Sequence, residues 1–180
     1  MPVYGILLLS VNIKSEVTSV KRKVLSLSTF VILLTFVPCL SFAWSGKVIG
    51  VAEGDTITVL RDTEPVTIRL YGIDTPEQGQ PFSNKAKQFT SEIVFGKVVE
   101  VGPINVDHYG RTVSLVYIEG RGVCDELIRA GLAWVYYLYC NLPICAEWKK
   151  VESEAQEAGR GLWSEPNPVP PWEFRRESRK

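Results

Sequence analysis

Alternation of apolar and polar residues dominates the middle of the chain. Val66, Ile68 and Leu70 alternate with Thr67, Arg69 and Tyr71, the period of a half-buried strand, and Arg69 falls on the face opposite Ile68 and Leu70. Upstream, Lys47 to Val51 and Thr56 to Leu60 read as two strands joined by Ala52-Glu53-Gly54-Asp55, so Asp55 sits where a turn enters a strand. A polar turn through Arg61, Asp62 and Thr63 leads into the third strand and completes a meander with one face to cover. Val98 to Val106 and Arg111 to Ile118 are two further β-rich segments, separated by Asp107-His108-Tyr109-Gly110. Helical spacing enters three times. Ala86, Phe89, Ile93 and Val94 mark a helix that Ser83 or Asn84 could cap and Gly96 ends. Asp125 to Ala130 is a short helix with Leu127 and Ile128 inward, terminated by Gly131. Ala146 to Ala158 carries Trp148, Val151, Ala155 and Ala158 on one stripe. Leu132 to Tyr139 is apolar and aromatic and reads as a strand with at least one core face.

Five β-segments, a helix after the third and two helices near the end predict an α+β domain: a five-stranded OB-type β-barrel with about three packed α-helices. Length and composition agree, since 180 residues with 46% apolar and 22% charged side chains leave room for one domain with a real core. The ends depart from this pattern. Lys21, Arg22 and Lys23 precede an apolar run from Val24 to Leu40 that closes on Ser41-Phe42-Ala43, the order of a secretory signal cleaved after Ala43. The rival is an uncleaved membrane anchor, against which Ser26, Ser28, Thr29 and Thr35 interrupt the roughly 20 strongly apolar residues that a span prefers. Residues 1–20 precede the basic segment, which is unusual for a signal, and translation is expected to begin near Val20. The expected organisation is therefore 1–43 extension and signal, 44–163 the folded domain, and 164–180 a tail. With Pro166, Pro168, Pro170 and Pro171 followed by Arg175, Arg176, Arg179 and Lys180, that tail reads as extended, mobile and basic.

Charge narrows the chemistry. Beyond Ala43 the chain holds 16 Lys and Arg against 19 Asp and Glu, so no bulk basic field holds nucleic acid nonspecifically. An anionic substrate must be gripped by a few placed cations, with or without a metal. Arg69 to Glu77, RLYGIDTPE, is the stretch that offers them: the strand pattern stops at Gly72, Pro76 keeps Thr75 extended, and Asp74, Thr75 and Glu77 fall on a loop at a strand end. Two carboxylates and an arginine there suit a hard metal ion beside a phosphate, although a surface turn with an incidental ion pair would look the same. Cys140 and Cys145, separated by Asn-Leu-Pro-Ile, could close a small loop in an oxidising compartment, and Cys124 reads as a buried small hydrophobe. Zinc is disfavoured because three cysteines and the distant His108 lack paired-ligand spacing. An acyl-transfer triad is disfavoured because the single histidine lies in a turn and no G-x-S-x-G elbow is present.

Taken in order, GDTITV at 54–59, RLYGIDTPE at 69–77, DHYGR at 107–111, ELIRAGLAWVYYLY at 126–139, and SEAQ with LWSE within 153–165 resemble the staphylococcal (micrococcal) nuclease, or thermonuclease, family. The resemblance covers nearly the whole chain beyond Ala43. It implies that Asp55, Asp74 and the backbone carbonyl of Thr75 bind Ca²⁺, that Arg69 and Arg111 hold the scissile phosphate, and that Glu77 assists an attacking water. It also implies that Tyr109, Tyr137 and Tyr139 line the nucleotide site, where rings can stack on bases with little sequence preference. Three features depart from the family pattern: His108 stands where a lysine is usual, the loop after Glu77 is shorter, and the Cys140 to Cys145 segment is inserted beside Tyr139. The expected protein is an exported, periplasmic or extracellular Ca²⁺-dependent nuclease. It would act as a monomer on DNA or RNA, without stable membrane association after signal cleavage. The competing expectations are a noncatalytic nucleic-acid-binding barrel and a small secreted adaptor that uses its proline-rich tail.

Overall fold

The computed structural model describes residues 43–178. The expected signal segment and Cys39 lie outside these residues, Ala43 excepted. In chain order the elements are β1 (Trp44–Glu53), β2 (Thr56–Arg61), β3 (Glu64–Leu70), the short β4 (Ile73–Asp74), α1 (Ser83–Val94), β5 (Val98–Val106) and β6 (Thr112–Ile118). There follow β7 (Arg121–Gly122), α2 (Val123–Arg129), β8 (Trp134–Val135), α3 (Ile144–Glu157), a 3₁₀ turn (Gly161–Ser164) and α4 (Pro171–Glu177).

The five long strands close into a mixed barrel in the order β3-β2-β1-β5-β6, sealed by parallel pairing of β3 with β6. This is the predicted five-stranded OB-type architecture. Two-residue connections join β1 to β2 (Glu53↔Thr56) and β2 to β3 (Arg61↔Glu64). β5 runs antiparallel to both β1 and β6 and carries a register shift at Pro103, where a residue without an N–H is tolerated. Alternation does what the pattern requires: Val48, Ile57, Val59, Ile68, Leu70, Val99, Val101, Val116 and Ile118 are buried in one core with Ala86 and Val94 of α1, Leu127 and Ile128 of α2, and Trp148 of α3. The indole N–H of Trp148 donates to Asp125 at 2.9 Å, which fastens α3 to α2 without leaving a buried donor unpaired. Cys124, expected to be buried, is buried, and desolvation raises its thiol far above the ordinary value, so it is inert.

Among the described residues there are four helices rather than about three, because part of the tail folds. Residues 171–177, expected to be extended, form α4, which starts on Pro171, where the missing proline N–H costs no hydrogen bond. Leu132 to Tyr139 is also not one strand: only Trp134–Val135 pairs, with Ile73–Asp74 of β4, and the chain then turns, the amides of Tyr139 and Cys140 both donating to the Tyr136 carbonyl. Neither Ser83 nor Asn84 caps α1, which instead follows Phe82 in the left-handed region (φ 66°) with no side-chain cap.

Cys140 and Cys145 are joined in a disulfide. The loop between them is also pinned by the Tyr71 hydroxyl, which accepts the amides of Asn141 (2.8 Å) and Leu142 (3.0 Å). Replacing both cysteines with serine should lower unfolding free energy by about 2 kcal/mol in the chain-entropy account of so short a loop. Urea unfolding checks this, and an unchanged midpoint would mean that Tyr71 alone holds the loop.

Candidate active site

Two tight backbone positions place the two buried aspartates. Gly54 lies so close to α1 and the Thr75 loop that a Cβ would meet the Ala86 Cβ at 2.8 Å and Thr75 at 3.0 Å, so only glycine lets this turn deliver Asp55 beneath Thr75. Its carbonyl accepts the Thr90 hydroxyl at 2.6 Å, tying the turn to α1. Gly72, at φ 68°, reverses the chain after β3 under the disulfide, where a Cβ would meet the Cys140 sulfur at 2.7 Å. That reversal brings Asp74 back alongside Arg69.

Asp55 and Asp74 are 2% and 1% exposed, and one guanidinium joins them. Arg69, on the polar face of β3 as its alternation predicts, pairs through Nη1 with Asp55 and through Nη2 with Asp74 at 2.6 Å. Burial pulls this guanidinium below its ordinary value; Asp74 opposes the shift and the charges of Arg111 and Arg175 add to it. Asp55 is further held by Thr75, whose amide (2.8 Å) and hydroxyl (2.9 Å) both donate to Oδ2, and by the Thr56 hydroxyl at 3.1 Å on Oδ1. Asp55, Arg69, Asp74 and Thr75 are therefore one connected group, assembled from the β1–β2 turn, β3, β4 and the residue that follows β4.

Glu77 joins this group through a residue that sequence reading placed in a mobile tail. Arg175 of α4 pairs with Glu77 through Nη1 and with Asp74 through Nη2 at 2.8 Å, and Nη1 also reaches Asp74 Oδ1 at 3.3 Å. Burial lowers the Arg175 guanidinium, but the hydrogen bonds and charges of Asp74 and Glu77 outweigh it and raise the group above its ordinary value. Gln80 links the same two segments: its side-chain oxygen accepts the Glu77 amide at 2.7 Å and its nitrogen donates to the Val169 carbonyl at 3.1 Å. Trp172 supports α4 from the other side, stacked flat on Tyr136 (4.8 Å, 4°) and edge-on to Trp134 (5.8 Å). Pro171, followed at once by Trp172, Phe174 and Arg175, was the available helix-start signal, and the run of prolines masked it.

Arg111 stands one residue before β6, whose first pairs with β3 are Thr112↔Ile68 and Val113↔Arg69. Its charge therefore lies near Arg69, but its side chain is held by Asp107, Nε to Oδ2 at 2.8 Å, and it covers the Tyr109 ring at 5.2 Å. Burial favours the neutral Asp107 carboxyl, yet the bonds from Arg111 and from the amides of Arg111 and Tyr109 win and hold it below the ordinary carboxylate value. Tyr109, Tyr137 and Tyr139 are 67%, 59% and 64% exposed, which leaves much of each ring open to solvent even where Arg111 covers Tyr109. Tyr137 and Tyr139 lie in the turn after β8, not on a strand, with Tyr139 against Tyr136 at 4.8 Å and Tyr137 edge-on to Trp172 at 6.2 Å. Trp148 is core, while Trp134 is a half-buried wall against Trp163 at 4.2 Å and Trp172.

The donor set of Asp55, Asp74 and Thr75 consists of oxygen only, which fits a hard cation and excludes the softer metals that require thiolate or imidazole. Among the described residues no group of three or more His, Cys, Asp or Glu forms a metal cage, so such an ion would have to complete its shell with backbone oxygen, water or substrate. Two buried carboxylates converging on one point favour a cation there, which Arg69 and Arg175 now supply.

Residues 67–165 match the family model described as staphylococcal nuclease homologue. A micrococcal nuclease of Shigella flexneri is 37% identical over 161 residues, covering 83% of this chain and 90% of that protein. An uncharacterized endonuclease of Escherichia coli O157:H7 is 40% identical over 131 residues, 72% of this chain and 84% of that one. Another, from Haemophilus influenzae, is 32% identical over 161 residues, 89% of each chain.

Proposed function

We propose a reaction for this chain on the premise that it belongs to the staphylococcal nuclease family: it is a nuclease that hydrolyses phosphodiester bonds in nucleic acid, and it requires Ca²⁺. The observation that carries the reading is the joining of two buried aspartates by the Arg69 guanidinium with Glu77 one residue group away. In this assignment Asp55, Asp74 and the Thr75 carbonyl hold Ca²⁺, which when bound supplies positive charge to the phosphate oxygens. Arg69 and Arg111 bind the scissile phosphate, each presenting a planar fork to its oxygens, and they bind it more strongly as charge builds during attack. Asp107 holds Arg111 through Nε, which leaves the Nη groups to meet the phosphate. Glu77 takes a proton from the attacking water as the new P–O bond forms, and the opposite P–O bond breaks with its electron pair leaving on the departing oxygen. Tyr109, Tyr137 and Tyr139 stack on bases, each stack contributing about 1 to 3 kcal/mol with little regard to sequence, so single-stranded or frayed DNA or RNA is the preferred substrate.

The mature chain works outside the cytoplasm, in the periplasm or beyond the cell. The Cys140–Cys145 disulfide supports this location, since such bonds persist in oxidising compartments. Incubating the purified protein with single-stranded DNA should give degradation with Ca²⁺ and none with chelator. Equal degradation in both, or none in either, would defeat the metal-dependent reading.

A further inference from the structure

We propose that α4 is a tethered inhibitor of the site: it lodges Arg175 between Asp74 and Glu77, and this guanidinium competes with the divalent cation for Asp74. The inference rests on the reading of Asp55 and Asp74 as the cation-holding pair. Both Asp74 oxygens are engaged, Oδ1 by Arg69 and Arg175 and Oδ2 by Arg175, so a cation that takes Oδ2 competes with Arg175 and gains most when α4 moves. Glu77 gives Oε1 to the same guanidinium, which weakens it as a proton acceptor for water.

The contact is built into the fold rather than made by a stray surface side chain. Arg175 is brought to the site by Trp172 stacked on Tyr136 and by the Gln80 bond to Val169, two anchors on either side of the helix start. Both anchors are modest. Gln80 makes one neutral hydrogen bond to the tail, and the aromatic stack joins a half-buried Trp172 to the wall of the site, so release of seven helical residues costs little beside opening a core element. A docked state that excludes the cation lowers its apparent affinity by the fraction of molecules in which the helix is released. Because Tyr136 and Tyr137 touch Trp172 and neighbour the exposed Tyr139, a nucleic-acid strand stacking on this wall would also compete with α4.

Calorimetric titration of Ca²⁺ into the purified chain tests the proposal without reference to activity. Arg175→Ala should bind Ca²⁺ about 5- to 100-fold more tightly than the parent, the usual range of coupling between two sites. Trp172→Ala, which removes an anchor and no charge, should move affinity in the same direction. Arg176→Ala removes the same charge from an exposed position on the same helix and should change it by less than about twofold, because an exposed charge is largely screened. Trypsin should cut after Arg175 and Arg176 faster as Ca²⁺ is added to the parent. Parent-like affinity in Arg175→Ala, or equal tightening by Arg176→Ala, would overturn the inhibitor while leaving the proposed nuclease intact. Absence of Ca²⁺ binding in every chain would overturn both.

Discussion

Replacing Arg69 with alanine should lower kcat by about 10²- to 10³-fold, the loss typical of one preorganised charge-stabilising donor, and raise KM as well. The double effect follows from position. In the proposed reaction Arg69 is the planar fork that meets substrate phosphate, and it is also the cation that holds Asp55 and Asp74 together at 2% and 1% exposure. Its removal leaves two buried carboxylates facing each other, so unfolding free energy should fall by roughly 3 kcal/mol. Saturating Ca²⁺ should restore part of that stability through binding to the folded state alone, but not the activity. Arg69→Lys keeps the charge without the fork and should recover stability better than turnover. Single-turnover kinetics and urea unfolding measured on the same preparations separate the two losses. Wild-type kcat/KM in Arg69→Ala would remove Arg69 from substrate contact.

Glu77→Gln should act on a different quantity, lowering kcat by about 10²- to 10⁴-fold with KM little changed. The substitution is nearly isosteric and keeps an oxygen that can accept from Arg175, while the backbone bond from the Glu77 amide to Gln80 is untouched. What disappears is the capacity to take a proton from water. The structural effect should be small for the same reason, so an unchanged melting temperature beside a collapsed kcat is the expected signature. Full turnover in Glu77→Gln would make the base role untenable.

Gain and loss of legibility along the chain have identifiable causes. Strand alternation is local: a period of two places Ile68 and Leu70 inside and Arg69 outside wherever the strand ends up, and the barrel obeyed it. The turn that delivers Asp55 is equally local, since Gly54 and Asp55 are the two residues between paired Glu53 and Thr56. Leu132 to Tyr139 misled because a run of apolar and aromatic residues satisfies a strand, a turn or a wall alike. Tertiary contacts decided it: Trp134 and Val135 found β4, and the Tyr136 carbonyl captured two amides on the way to the disulfide. Arg111 is the opposite case, because its partner Asp107 lies in its own turn, four residues away.

The tail marks the boundary most clearly. Its composition of prolines and basic residues reads as extended chain, and the partners that hold the Arg175 guanidinium all lie outside the tail. Those partners lie about a hundred residues upstream, where Asp74 and Glu77 await a cation, and Tyr136 offers Trp172 a flat face. Periodicity sufficed for the five-stranded barrel, because alternation is local. The site residues came instead from the resemblance that the ordered motifs carry, and the fold brings Asp55, Arg69, Asp74 and Thr75 together. Which cation sits on the acids could emerge only from the folded chain, since electrostatic pairing depends on distance in space and not on separation in sequence.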